Sequence, residues 1–211
     1  MKRVAIALTF DESGYIGKPF WPETNTIINI SKDVHPKLGD AKKQAALQAA
    51  CEKRSLTLAE YDAIVERSKN PFYTVDGRGS EIVIPQRIYQ SFLNGTCQQV
   101  PKVIPKIEEK GLTFIGVKVD GGFLRTGKTE TDAKLFGRFV KNEESNQRMW
   151  TEDKYIVGFS ATGILSVDEE IIKVDDLKKL TEYGGWKFGI GTARPQGYGR
   201  FRVTRWEVLG S

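Results

Sequence analysis

One histidine, His35, serves the whole 211-residue chain, and cysteine is nearly as scarce, with only Cys51 and Cys97. Two cysteines 46 positions apart have neither the close pairing of a zinc site nor the density of a disulfide framework. Cys51 falls within an apolar helical pattern and reads as a buried free thiol. No stretch approaches the roughly 18 apolar residues of a membrane-spanning helix. The opening MKRVAIALTFDES has a short apolar run followed by acids, so it reads as a first strand and not as a secretion signal. The expectation is a cytoplasmic protein with no membrane partner. Internal repeats and low-complexity tracts are also missing. The basic excess is small: 32 Lys and Arg against 27 Asp and Glu, for a net charge of +5. That fits a polyanionic partner without demanding one. What is plentiful is ordinary globular composition, 39% hydrophobic and 28% charged, in a chain long enough to bury a core.

Along the chain, Lys2 to Phe10 alternates like a strand, and Thr26 to Ser31 is a second candidate, with a Gly/Pro-rich aromatic loop between them. Residues 40 to 54 are alanine-rich, and Thr57-Leu-Ala-Glu60 spells a capping box ahead of Leu58, Tyr61, Ile64 and Val65 at helical spacing. This predicts a helical insertion over about 37–70. A strand from Glu81 to Ile84 runs through Pro85 into a helix striped by Ile88, Tyr89, Phe92 and Leu93 and ended by Gly95. After a strand at Leu112 to Val119, residues 120–153 are polar and charged, a protruding basic loop with some helix. Tyr155 to Thr162 reads as a strand that Ile164 to Val167 continues or returns from, and Asp175 to Tyr183 as a helix stopped by Gly184-Gly185. WKFGI and RFRVTRWEV then close the chain as strands. Strands and helices mixed with hairpins predict an α+β fold with an antiparallel sheet.

The stretch GFLRTGKT, Gly122 to Thr129, matches the phosphate-loop pattern G-x-x-x-x-G-K-[ST] letter for letter. A working phosphate loop leads from a strand into a helix N-terminus inside a parallel sheet. Here Asp120-Gly121-Gly122 directly follows the strand, which is a hairpin signal, and alternating strand–helix units are missing on both sides. Arg125 and Lys128 are therefore read as plain cations, and neither a cofactor nor a metal is expected.

The C-terminal stretch GGWKFGIGTARPQGYGRFRVTRW, Gly184 to Trp206, interleaves glycines with Arg194, Arg200, Arg202 and Arg205. Residues 184–211 hold five basic side chains (Lys187 and those four) against Glu207, a local charge of +4. Glycine would let a backbone lie against another polymer's phosphates, and arginine forks onto phosphate and stacks on bases. Alternation puts Arg200, Arg202 and Thr204 on one face and Phe201 and Val203 toward a core. A hairpin with a solvated basic face fits the same residues.

Gly189-Ile-Gly191, then Arg194, then Gly197-Tyr198-Gly199-Arg200-Phe201 before a final strand resembles the C-terminal glycine-rich loop of the RAMP superfamily, ferredoxin-like subunits of CRISPR RNA-guided antiviral complexes. EIVIPQRIYQSFLNG, Glu81 to Gly95, is similar to their strand–Pro–helix segment, with Gln86-Arg87 where small residues usually stand. The resemblance implies an RRM-type core, a helical insertion and a thumb-like loop over about 120–153. It also implies single-stranded nucleic acid, RNA first, as partner, together with other subunits or copies of the chain. An RRM-like sheet offers base-stacking platforms, for which Phe20, Trp21 and Tyr198 are candidates. The implied interface is Gly189, Gly191, Arg194, Gly197, Tyr198, Gly199, Arg200 and Arg202, with Arg125 and Lys128.

Some members of that superfamily cleave RNA with an early histidine as base. His35, with Lys37, Lys42 and Tyr15 as possible partners, would supply such a centre, and Asp33 would supply a metal-dependent one. The expectation is a non-catalytic strand-binding subunit. A metal-independent endoribonuclease using His35 is the alternative. A phage or mobile-element DNA-binding protein, or an inhibitor that imitates a subunit, remains open beside it.

Overall fold

Alternation in the first residues sets the first core strand. In the computed structural model, which describes residues 1–10, 12, 14–17, 22–35, 38–68, 72–76, 79–99, 116–141, 148–192 and 194–210, β1 (Lys2–Phe10) buries Val4, Ile6, Leu8 and Phe10. The chain divides into two compact units, Met1–Lys18 with Phe72–Ser211, and Pro19–Pro71.

The larger unit is a mixed α+β fold built on one antiparallel sheet. After α1 (Pro22–Asp33), α2 (Asp40–Glu52) and α3 (Leu58–Ser68) of the other unit come β2 (Tyr73–Thr74) and β3 (Ile82–Pro85), and then α4 (Gln86–Cys97) packs on the sheet through Tyr89, Phe92 and Leu93. The strands β4 (Val117–Val119), β5 (Phe123–Arg125), β8 (Phe159–Val167) and β9 (Arg202–Leu209), with α5 (Val174–Lys187), complete it. The sheet order is β2-β3-β5-β8-β1-β9, with β4 also on β8. The path β1–α4–β4/β5–β8–α5–β9 thus gives the ferredoxin-like order β9-β1-β8-β4/β5, with every described neighbour pair antiparallel. Phe10 stacks on Phe159 at 4.6 Å and meets Phe201 at 5.3 Å, while Tyr89 Oη and Thr181 Oγ1 bond across the two helices at 3.0 Å.

Several elements differ from the sequence reading. Asp120-Gly-Gly122 is not a hairpin turn. Val119 faces Leu165 and Arg125 faces Thr162, so β4 and β5 form one strand along β8, interrupted by a 3₁₀ turn. The interruption is possible because Gly121 and Gly122 take φ of 76° and 82°. β6 (Lys134–Lys141) and β7 (Arg148–Tyr155) form a two-stranded antiparallel ribbon, where a loop with some helix was expected. Gly95 and Gly184-Gly185 do not end their helices. A Cβ on Gly184 would stand 2.5 Å from Thr96 Oγ1, and one on Gly185 would overlap the Phe201 ring. These glycines let α5 approach α4 and the start of β9, which outweighs their roughly 1 kcal/mol helix penalty. WKFGI is accordingly helix end and turn, not strand. Leu112 to Ile115, the first part of another expected strand, lie outside the described residues.

The smaller unit is helical: α1 (Pro22–Asp33), α2 (Asp40–Glu52) and α3 (Leu58–Ser68). Thr26 to Ser31, read as a strand from its β-branched residues, is the middle of α1, because burying Ile30 against Ala50 and Cys51 outweighs local preference. The capping box forms as spelled: Thr57 N donates to Glu60 Oε2 at 2.8 Å, and Glu60 N to Thr57 Oγ1 at 3.2 Å. Cys51 and Cys97 are buried free thiols. Among the described residues no helix is long and apolar enough to cross a membrane.

Candidate nucleic-acid interface

The glycine-rich loop leaves α5 through Phe188 N and Gly189 N, both donating to Gly184 O at 2.8 and 2.9 Å. It then folds on itself: Ile190 N donates to Gly199 O at 2.8 Å, and Gly199 N to Gly14 O at 2.7 Å. Gly189, Gly191, Gly197 and Gly199 all have positive φ, from 75° to 92°. A Cβ on Gly199 would collide with the Ile190 backbone, one on Gly189 with Gly199, and one on Gly191 with the Ile16 carbonyl. The close approach these glycines permit is to the chain's own backbone, a different reason from the one read in the sequence. Gly197 alone of the four has open space where a side chain would stand.

The loop projects its cations outward. Arg194, in a short 3₁₀ turn, Arg200 and Arg202 are exposed, whereas Phe201 between the last two is buried. Tyr198 packs edge-on against Tyr155 at 5.4 Å, and burial pushes its hydroxyl pKa up. Two clefts are lined by these cations. One, of about 490 Å³, is lined by Lys187, Arg194 and Arg200 with Gln98 and Gln99. The other, of about 1120 Å³, is lined by Arg200, Arg202, Lys134, Tyr155, Trp186 and Glu12. Arg200 borders both. Among the described residues lining the two clefts, five cations stand against Glu12. The sequence reading missed Lys134 and Trp186. Trp186 lies off the buried stripe of α5 (Leu177, Leu180, Thr181, Gly184), a signal visible only once the helix runs through its glycines.

Arg125 and Lys128 stand elsewhere and are engaged. Arg125 Nε is 3.1 Å from Glu81 Oε2, and Lys128 Nζ is 3.9 Å from Asp132 Oδ1. Gly127 N, which a phosphate would need, donates to Glu81 Oε1 at 2.9 Å. The residues after Thr129 form a three-residue 3₁₀ turn, not an α-helix. Phe123–Arg125 is strand, bonded on both sides. This is not phosphate-loop geometry.

The sheet face away from the helices carries Arg3, Ala5, Ala7 and Thr9 of β1, Ser160, Thr162, Ile164 and Ser166 of β8, and Arg202, Arg205, Glu207 and Leu209 of β9. It is polar and without an aromatic ring across these three strands. Thr9 Oγ1 bonds Ser160 Oγ and Thr204 Oγ1, each at 2.8 Å. A stacking platform of the RRM kind is therefore missing from these strands. Phe20 and Trp21 lie outside the described residues.

The residues of the alternative centre belong to two different units. Tyr15 is fully buried in the core of the larger unit, where burial raises its pKa, while His35 is an exposed residue after α1 in the helical unit. Lys37 lies outside the described residues, and Lys42 is exposed on α2. Asp33 accepts from Arg54 at 2.8 Å, and that bond holds its carboxyl below the usual range. Among the described residues no three His, Cys, Asp or Glu side chains gather where a metal ion could sit.

No protein-family model and no curated protein matches the sequence. The fold does resemble that of a solved structure. A chain in the cryo-EM structure of the Type III-B Cmr-beta bound to cognate target RNA superposes with a TM-score of 0.52 at 9% identity, over 99% of this chain. The match spans 60% of that other chain. The likeness is one of fold.

Proposed function

We propose that the chain is a non-catalytic subunit of the RAMP type that binds single-stranded nucleic acid, RNA in the first instance, within an RNA-guided or strand-coating complex. The observation that carries this reading is the gathering of Lys134, Lys187, Arg194, Arg200 and Arg202, from separate segments, along two clefts that share Arg200, with Glu12 the one acid among the described lining residues. The fold shared with a chain of an RNA-bound assembly supports the same direction.

Single-strand binding through phosphates is salt-dependent, with a slope of about −0.7 per contact. Replacing Lys134, Arg200 and Arg202 by Ala should weaken binding to an RNA oligonucleotide and flatten that slope by about 2. Unchanged affinity and slope in a folded triple variant would remove the clefts from the interface. Nucleic acid that co-purifies with the protein identifies RNA or DNA. Light scattering on a strand several sites long reports whether copies assemble along it.

A further inference from the structure

Trp186 is a large aromatic ring held at the surface by a rigid element. Its side chain is 65% exposed, among the most exposed large hydrophobic residues described. Its backbone belongs to the last turn of α5, which Gly184 and Gly185 seat against Phe92, Thr96 and Phe201 and which the bonds of Phe188 and Gly189 to Gly184 O close. The ring lines the larger cleft, and Arg200, Arg202 and Lys134 line the same cleft. Lys187 Nζ lies 5.5 Å from the ring centroid. An exposed indole normally costs solubility or marks a contact, since aromatic rings carry much of the burial energy at interfaces. Cations and one exposed ring on the wall of the same cleft can supply the two parts of a single-strand site, an electrostatic track and a stacking surface.

We infer that Trp186 stacks on an unpaired base while the cations lining its cleft hold the flanking phosphates. The assignment rests on the strand-binding reading above and names its base-contacting residue. Stacking on a π-face is tolerant of base identity, so the site accepts any unpaired base and excludes a duplex, whose bases are covered by their neighbours. The contact neutralises no phosphate. Its contribution is therefore independent of salt, unlike that of Arg200 or Arg202.

The test compares wild type, Trp186→Ala and Trp186→Phe on a base-bearing RNA strand and on an abasic strand of equal length, across a salt series. The expected result for Trp186→Ala is a loss of roughly 5- to 150-fold on the base-bearing strand, the range of a base–aromatic stack. Its salt slope stays that of wild type, the abasic strand shows no loss, and Phe restores most of the affinity. Wild-type binding that Trp186→Ala leaves unchanged overturns the stacking role alone. A loss equal on both strands also overturns it, because the ring would then act as scaffold. Failure of wild type to bind any strand overturns the stacking role and the strand-binding reading together.

Discussion

Gly185 lies against Phe201 so closely that no side chain fits between them, and Phe201 N donates to Gly185 O at 3.1 Å. The contact joins the last helix to the entry of the last strand, and so fixes Trp186 relative to Arg200 and Arg202. Gly185→Ala should destabilise the fold by about 1–3 kcal/mol through overpacking. Gly95→Ala is the control. It is also a helical glycine, but nothing lies within 4 Å of its missing Cβ. There the substitution should stabilise by about 1 kcal/mol, the ordinary helix preference for alanine over glycine. Urea denaturation of both variants checks the opposite signs.

That pair of glycines also marks where the sequence stops being legible. β1 could be read because Val4, Ile6, Leu8 and Phe10 alternate and face one core, and α3 because Thr57 and Glu60 cap it locally. Gly184-Gly185 carries the same letters as a helix stop, and only Phe92, Thr96 and Phe201, distant in sequence, show why the helix continues. Trp186 was hidden by that error. The cations of the C-terminus were visible as a charged run, but Lys134 joins them only through the fold. Thr26 to Ser31 has strand-like composition, and its helical state depends on contacts with residues some twenty positions on.

Asp120 anchors the interrupted strand to its neighbours. Its Oδ1 accepts from Ser166 Oγ at 2.7 Å, and its Oδ2 from Arg3 at 2.9 Å. The Ser166 bond first, and then Arg3, hold the carboxyl below its usual range. A carboxylate with a depressed folded-state pKa stabilises the protein above the unfolded value of about 3.9, and that contribution is lost as pH falls through the lower folded value. Asp120→Asn should therefore be less stable than wild type near neutrality, with the gap closing below about pH 4. A constant gap across the acid range would mean that the carboxylate's charge is not what matters.

Lys128 is the residue on which a phosphate-loop reading depends. Its backbone carbonyl accepts from Ile82 N at 2.7 Å, and Thr126 Oγ1 donates to Ile82 O, so the segment is tied to β3. The protein should bind ATP and GTP only at background, with or without magnesium, and Lys128→Ala should not change the titration heat. Specific magnesium-dependent binding that the substitution abolishes would revive the nucleotide site.

His35 is the remaining candidate for catalysis, and the prediction is that it performs none. A base for RNA cleavage must come within about 2.6–3.2 Å of the 2′-hydroxyl whose proton it takes. The 2′-oxygen then attacks the adjacent phosphorus, and a proton must reach the departing 5′-oxygen to leave a cyclic phosphate. A second group has to supply that proton or stabilise the charge. Tyr15, the nearest candidate by type, is fully buried in the core of the larger unit and cannot meet substrate as it stands. Pro36 biases His35 toward an extended conformation suited to the link between α1 and α2. Hairpin RNAs incubated in EDTA should stay intact with wild type and with His35→Ala alike. Cleavage at one position, leaving a cyclic phosphate and lost in His35→Ala, would make the chain an endoribonuclease and the non-catalytic reading wrong.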